Sequence, residues 1–184
     1  MLKRTIRIST ITLCIFCTFF LICTGVFAAT RQASQISTTV QFTPGIQVII
    51  TAQVGDGNEQ VIFNNTNTTF KDAKGQEVPA SPYFKTSGTT TNFTSSNEIV
   101  IKIYNHTPNN VNINSAVISL TNALGAYLET YDEQTNTVAE VPNITVATAG
   151  SVIASGNNAT SEPFRIVSLY QNLDITMQIA LTSN

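Results

Sequence analysis

Hydrophobic residues in this chain recur at every second position in one segment after another. Ile46, Val48, Ile50, Ala52 and Val54 alternate with Gln47, Ile49, Thr51 and Gln53; Gly55-Asp56-Gly57-Asn58 then supplies a turn, and Val61-Ile62-Phe63 starts the return. Period-2 alternation broken by Gly, Asp and Asn is the signature of a β-hairpin. Farther on, Ile99, Ile101 and Ile103 share one face while Glu98, Lys102 and Tyr104 share the other. The strand after the Asn105–Asn110 loop begins in step at Val111 and Ile113, but Ile118 and Leu120 fall on the opposite parity, so a bulge is expected near Ser115 and Ala116. The last third repeats the pattern through Ile144 and Val146, Val152 and Ile153, then Phe164, Ile166 and Ser168. It ends on the cleanest alternation of all, Leu173, Ile175, Met177, Ile179 and Leu181.

Two stretches fit less well. Leu120, Ala123, Leu124, Tyr127, Leu128 and Tyr131 lie on a helical stripe with Thr121 as a cap, although Gly125 interrupts it. A short helix over 120–131 and a turn at Asn122–Gly125 followed by a strand from Ala126 to Tyr131 both satisfy these residues. Residues 64–97 are rich in Thr, Ser and Asn and suit long loops or edge strands. Taken together, the pattern predicts an all-β domain: one antiparallel β-sandwich of about seven to ten strands, Ig-like or jelly-roll-like, with a closed barrel as the alternative.

The N-terminus is of another kind. Lys3, Arg4 and Arg7 precede an apolar run from Ile8 to Ile22, and small residues close it, the order of a secretion signal helix. Val26 and Ala28 occupy the positions a signal peptidase inspects, so cleavage is expected after Ala28; an uncleaved anchor is the alternative. Ile22 before Cys23 does not suit lipid attachment. The chain therefore divides into a signal over 1–28, an exposed leader over 29–37 and the β-sandwich domain over 38–184, with membrane contact only during export. No sorting motif or apolar tail follows Leu173, so no covalent wall anchor is expected.

Removing the signal changes the composition. All three cysteines, Cys14, Cys17 and Cys23, fall inside it, so no thiol chemistry, disulfide or cysteine-held metal is expected of the mature domain. The remaining 6 basic and 11 acidic residues give a net charge of -5, with the basic side chains scattered. That excludes nucleic acid as a partner, because phosphate binding needs clustered Lys and Arg. Polarity is carried by Asn, Thr, Ser and Gln, which favour pleated surfaces and turns.

Candidate chemistry is sparse. His106, the sole histidine, sits in the turn Asn105-His106-Thr107-Pro108, and no Gly-x-Ser-x-Gly elbow occurs. Glu98, Glu129, Glu140, Glu162 and Asp174 include enough acids for a glycosidase pair, yet no spacing selects two. Oxygen ligands for calcium could come from Asp56, Asn58 and Glu59 or from Glu129, Asp132 and Glu133, although a turn and a solvated patch account for them equally. Tyr83, Tyr104, Tyr127 and Tyr131 are the candidates for stacking on a glycan, in a domain with no tryptophan. Six Asn-x-Ser/Thr sequons begin at Asn64, Asn67, Asn92, Asn105, Asn143 and Asn158. With Asn, Ser and Thr this abundant, chance alone supplies about four. The reading is a non-enzyme without catalytic residues, metal or cofactor.

The hairpin from Glu98 to Leu120, with Ile-Val-Ile-Lys-Ile-Tyr-Asn-His-Thr-Pro-Asn-Asn-Val-Asn-Ile at its centre, resembles the strand, Asn-Thr turn, strand unit of small secreted β-sandwich proteins of Gram-positive bacteria, among them the TasA and camelysin group of biofilm-fibre proteins. The likeness covers about a seventh of the chain; that group's aromatic-rich segment after the signal is replaced here by Ala29-Thr30-Arg31-Gln32-Ala33. The resemblance implies a secreted, extracellular or cell-surface structural or adhesion protein whose partners are its own copies or an extracellular matrix protein. The leader from Ala29 to Val40 is the expected donor for strand addition to a neighbour. A carbohydrate-binding module that tethers the cell to a polysaccharide is the alternative, with a secreted hydrolase third.

Overall fold

The segment with the cleanest alternation lies in the middle of a sheet. In a computed structural model, which describes residues 35–85, 97–121, 125–132, 134–135, 137–168 and 175–183, Ile175, Met177, Ile179 and Leu181 all have no exposed surface. Among the described residues there is no helix, and fifteen strands occur. They are β1 (Gln35–Phe42), β2 (Val48–Val54), β3 (Gln60–Asn64), β4 (Phe70–Lys71), β5 (Glu77–Val78), β6 (Tyr83–Lys85), β7 (Ile99–Asn105) and β8 (Val111–Thr121). After them come β9 (Ala126–Asp132), β10 (Thr137–Val141), β11 (Ile144–Ala147), β12 (Val152–Ile153), β13 (Asn158–Thr160), β14 (Phe164–Ser168) and β15 (Ile175–Ser183).

One sheet runs β11-β8-β15-β1-β6, with β12 also on β8; the other runs β10-β9-β14-β7-β2-β3, with β13 also on β7. β4 and β5 form a separate hairpin. Every pairing is antiparallel except that of the first strand with the last, where Ile36 to Phe42 run parallel to Ile175 to Leu181. Apolar residues of both sheets form one core: Ile36, Ile118 and Ile179 from one, Ile50, Ile101 and Phe164 from the other. Ser81 N–H donates to Val61 C=O at 2.8 Å, stitching the approach to β6 onto β3 of the second sheet.

The expected bulge is present. Thr182 faces Ser115 but Ser183 faces Ile113, so one residue of β8 is skipped and both Ile113 and Ala116 turn inward. Between 120 and 131 the described residues are extended: β8 continues to Thr121, Gly125 takes φ +76°, and β9 follows directly. A left-handed φ is open to glycine without a Cβ penalty, so the residue that interrupted the helical stripe is the one that enters β9 from the left-handed region. The helix expected as one option over 120–131 is thus not formed by 120–121 or 125–131; residues 122–124 lie outside the described part.

The leader boundary is corrected. Residues 29–34, like the signal segment and Ala28, lie outside the described residues, but Gln35, Ile36 and Ser37 pair with Lys85, Phe84 and Tyr83, and Ile36 is fully buried. An alternating apolar side chain with room in the core is worth more buried than left in water, which draws this stretch into the sheet. Strand β2 also departs from the simple pattern. Ile49 and Thr51, on the face opposite the core, are each 1% exposed, and Val61 beside them is equally buried, so this sheet is covered on both faces there. Of residues 64–97, expected as loops or edge strands, the described part to 85 is loop around the short strands β4, β5 and β6, with β6 at the edge of its sheet.

Candidate functional site

Three polar clusters are built on the second sheet, two on the face that points away from the core and one, at Asn105, on the same side of β7 as Ile99, Ile101 and Ile103. The first joins β2, β3 and β7. Thr51 Oγ1 donates to Glu59 Oε2 at 3.1 Å, Tyr104 O–H donates to the same oxygen at 3.0 Å, and Lys102 Nζ pairs with Oε1. Burial pushes the Glu59 carboxyl upward, but the hydrogen bonds from Lys102 and Tyr104, the Lys102 charge and the Thr51 hydroxyl outweigh it and hold the group below its ordinary value. Burial and the neighbouring carboxylate push the Tyr104 phenol up to about 12. Phe70 of β4 lies against the Tyr104 ring, centroids 5.5 Å apart and tilted by 55°.

The second cluster sits where β7 ends. Asn105 is 1% exposed; its Nδ2 donates to Asn109 C=O and Ile153 C=O, both at 2.9 Å, and its Oδ1 accepts from Thr107 N–H at 2.8 Å. The side chain closes the turn that follows it and ties that turn to β12. His106 is exposed at the same turn, its backbone N–H donating to Gln47 C=O.

The third cluster is the β14-β9-β10 region. Leu128 points into the core, so Tyr127, Glu129 and Tyr131 share the opposite face. Across from them stand Val167 and Arg165 on β14 and Glu140 and Val138 on β10, in the pairs Tyr127–Val167, Glu129–Arg165, Glu129–Glu140 and Tyr131–Val138. Arg165 is 7% exposed and meets Glu129 Oε2 at 2.5 Å from both Nε and Nη2. Beside this face a cleft of about 430 Å³ is lined by Glu98, Tyr131, Asp132, Gln134, Glu162 and Pro163, with Thr130 below. Asp132 shapes its rim: Oδ1 accepts from Gln134 N–H at 2.8 Å and Thr135 N–H at 3.3 Å. The Thr135 side chain, with those two amides, holds the carboxyl below its ordinary value.

β10 is the outer strand of its sheet. Among the described residues it pairs with β9 alone, Thr137 to Glu140 are exposed, and Val138 keeps 44% of its surface in water. Its outer row of backbone N–H and C=O groups has no partner strand among the described residues.

The four tyrosines do not make one platform. Tyr83 is on β6 of the other sheet, 52% exposed. Ile99, Phe164 and Thr130 stand on one rung; Tyr104 lies five residues along β7 from that rung and Tyr127 three residues the other way along β9, roughly 26 Å apart at about 3.3 Å per residue. Tyr104 is held by Glu59 and Phe70, and Tyr131 lines a cleft. Neither calcium set converges. Glu59 turns back onto Lys102 and Tyr104 while Asp56 stays in the exposed turn; Glu129 faces Arg165 while Asp132 caps its own turn, and Glu133 lies outside the described residues. Among the described residues no group of three His, Cys, Asp or Glu is placed to hold a metal ion. Of the acids weighed for a glycosidase, Glu98 and Glu162 share the cleft, Glu129 and Glu140 are cross-strand neighbours, and Asp174 lies outside the described residues.

The buried Arg165–Glu129 pair and the buried Asn105 were not singled out by sequence reasoning. A signal existed for the first: Arg165 interrupts Phe164-Arg165-Ile166-Val167, an unusual place for a charge unless it is paired. For the second, Asn-x-Thr-Pro marks a turn, but nothing local says that β12 closes over it. No protein-family model, no curated protein and no solved structure matches the chain.

Proposed function

We propose that the chain is a non-enzymatic secreted or cell-surface protein with a structural or adhesive role, that its two sheets form a β-sandwich, and that copies associate by strand addition at β10. The observation that carries this reading is the one-sided pairing of β10, with Val138 exposed and with neither a lysine nor an internal proline guarding the strand. Its only charged residue is Glu140. The resemblance to the TasA and camelysin group agrees with such a role. The donor first expected, Ala29 to Val40, enters differently, because Gln35 to Phe42 already pair within their own chain. Sedimentation velocity, light scattering and electron microscopy on protein starting at Ala29 test the reading. Growth with concentration is expected, with Val138→Lys leaving a folded monomer. A wild-type monomer at every concentration, or unchanged assembly of V138K, overturns it.

The cleft at Tyr131 favours a second reading, glycan binding. Glu98, Asp132, Gln134 and Glu162 offer acceptors and an amide to sugar hydroxyls beside one aromatic ring. Retention of wild type but not of Tyr131→Ala on polysaccharide columns supports it; equal passage of both proteins removes it.

A further inference from the structure

The sequons sort themselves once the fold is known. N-glycan transfer joins the sugar C1 to an asparagine Nδ2, breaks the C1–oxygen bond to a lipid pyrophosphate carrier and takes one hydrogen from the nitrogen as a proton. The amide must therefore spare one hydrogen and face open space. Asn67, Asn143 and Asn158 are exposed, and Asn64 is half-buried with its Nδ2 donating to Thr68 C=O at 2.9 Å. Asn92 lies outside the described residues. Asn105 differs from all of these. Both of its Nδ2 hydrogens are spent, on Asn109 and Ile153, and its Oδ1 is held by Thr107. Its backbone N–H donates to Asn157 C=O and its C=O accepts from Gly156 N–H, both at 2.9 Å. A sugar on Nδ2 would remove one donor and force the end of β7, the 106–110 turn and the approach to β13 apart, leaving buried carbonyls without partners.

We propose that N-glycan transfer to Asn105 and the native fold exclude one another, whereas Asn67, Asn143 and Asn158 carry a glycan without loss of the fold. The Asn-His-Thr triplet is thus a turn motif that happens to spell a sequon, and the native export route leaves Asn105 bare. The test is cell-free translation of the full chain into microsomes, which glycosylate nascent chains before they fold. Limited proteolysis then separates folded from unfolded product, and glycopeptide mass spectrometry maps the sites. Asn105 glycan is expected in the protease-sensitive fraction and at least tenfold depleted in the resistant one, while glycan on Asn67, Asn143 and Asn158 appears in both. Thr107→Val removes the hydroxyl the transferase needs but keeps the N–H that Asn105 accepts from; it should raise the resistant fraction in microsomes. Made without glycosylation, T107V should melt no higher than wild type, which separates the glycan effect from a gain in stability. Glycan on Asn105 of resistant protein overturns the proposal. So does Asn105 left bare in the sensitive fraction, or glycan on the three exposed sites confined to that fraction.

Discussion

Arg165 grips a single carboxylate oxygen of Glu129 with two nitrogens, and both side chains are almost wholly withdrawn from water, at 8% and 12% exposure. The pair stands on one rung of β14 and β9, with Glu140 next on the same rung of β10. Without the guanidinium, Glu129 and Glu140 would face each other as like charges across the strands.

Removing one partner is therefore expected to cost far more than removing both. Glu129→Ala leaves a buried cation and should lower stability by about 3 kcal/mol, whereas Arg165→Met with Glu129→Leu should stay within about 1 kcal/mol of wild type. Urea unfolding midpoints with unchanged slopes measure this. Equal losses in the single and double variants would mean that packing, and not charge pairing, holds the site.

Glu59 makes the domain sensitive to acid. Its folded carboxyl titrates below the ordinary 4.5, so the unfolded chain takes up the proton first, and the stability Glu59 contributes is complete above 4.5 and lost as pH falls through the lower folded value. Glu59→Gln should cost roughly 1 kcal/mol at neutral pH. That gap should close as acid protonates the wild-type carboxyl. Denaturation midpoints of both proteins from pH 7 to pH 3 check the convergence; a constant gap would show that the carboxylate charge is not what matters.

At the alkaline end Tyr104 acts in the opposite sense. Its phenol is raised from 10.0 to about 12 in the fold, so the contribution is whole below 10 and is lost as pH rises toward 12, where the unfolded chain ionises first. Ultraviolet titration should show a late tyrosine step, and Tyr104→Phe should delete it. A late step that survives the substitution would assign it to another tyrosine.

The first strand should behave as core. Ile36→Ala is expected to lower stability by about 3 kcal/mol, as for other fully buried aliphatic truncations. Thr39→Ala, exposed on the same strand, should change it by less than about 0.5 kcal/mol. Similar small effects at both positions would return 35–37 to the status of an exposed leader.

What was legible before folding was local. Alternation at Ile99, Ile101 and Ile103 and at Ile175, Met177, Ile179 and Leu181 names the core face directly, because a strand offers only two faces and one must leave water. The parity switch between Ile113 and Ile118 located the bulge by the same logic, and Gly125 carried the turn because its φ suits glycine. Those readings need no partner strand. The burial of Ile36, Ile49 and Thr51, the contact of Arg165 with Glu129, the closure of β12 over Asn105 and the grouping of Glu98, Tyr131 and Glu162 around one cleft all join residues from separate segments. Which strand lies beside which is set by how two sheets fill a common core, a property of the whole chain that no single stretch contains. The sequence alone determined the strands that alternate cleanly and their inward faces; the tertiary structure decided where the first strand and the outer strands lie and which polar groups meet, because strand neighbours, hydrogen bonds and ion pairs form between residues close in space.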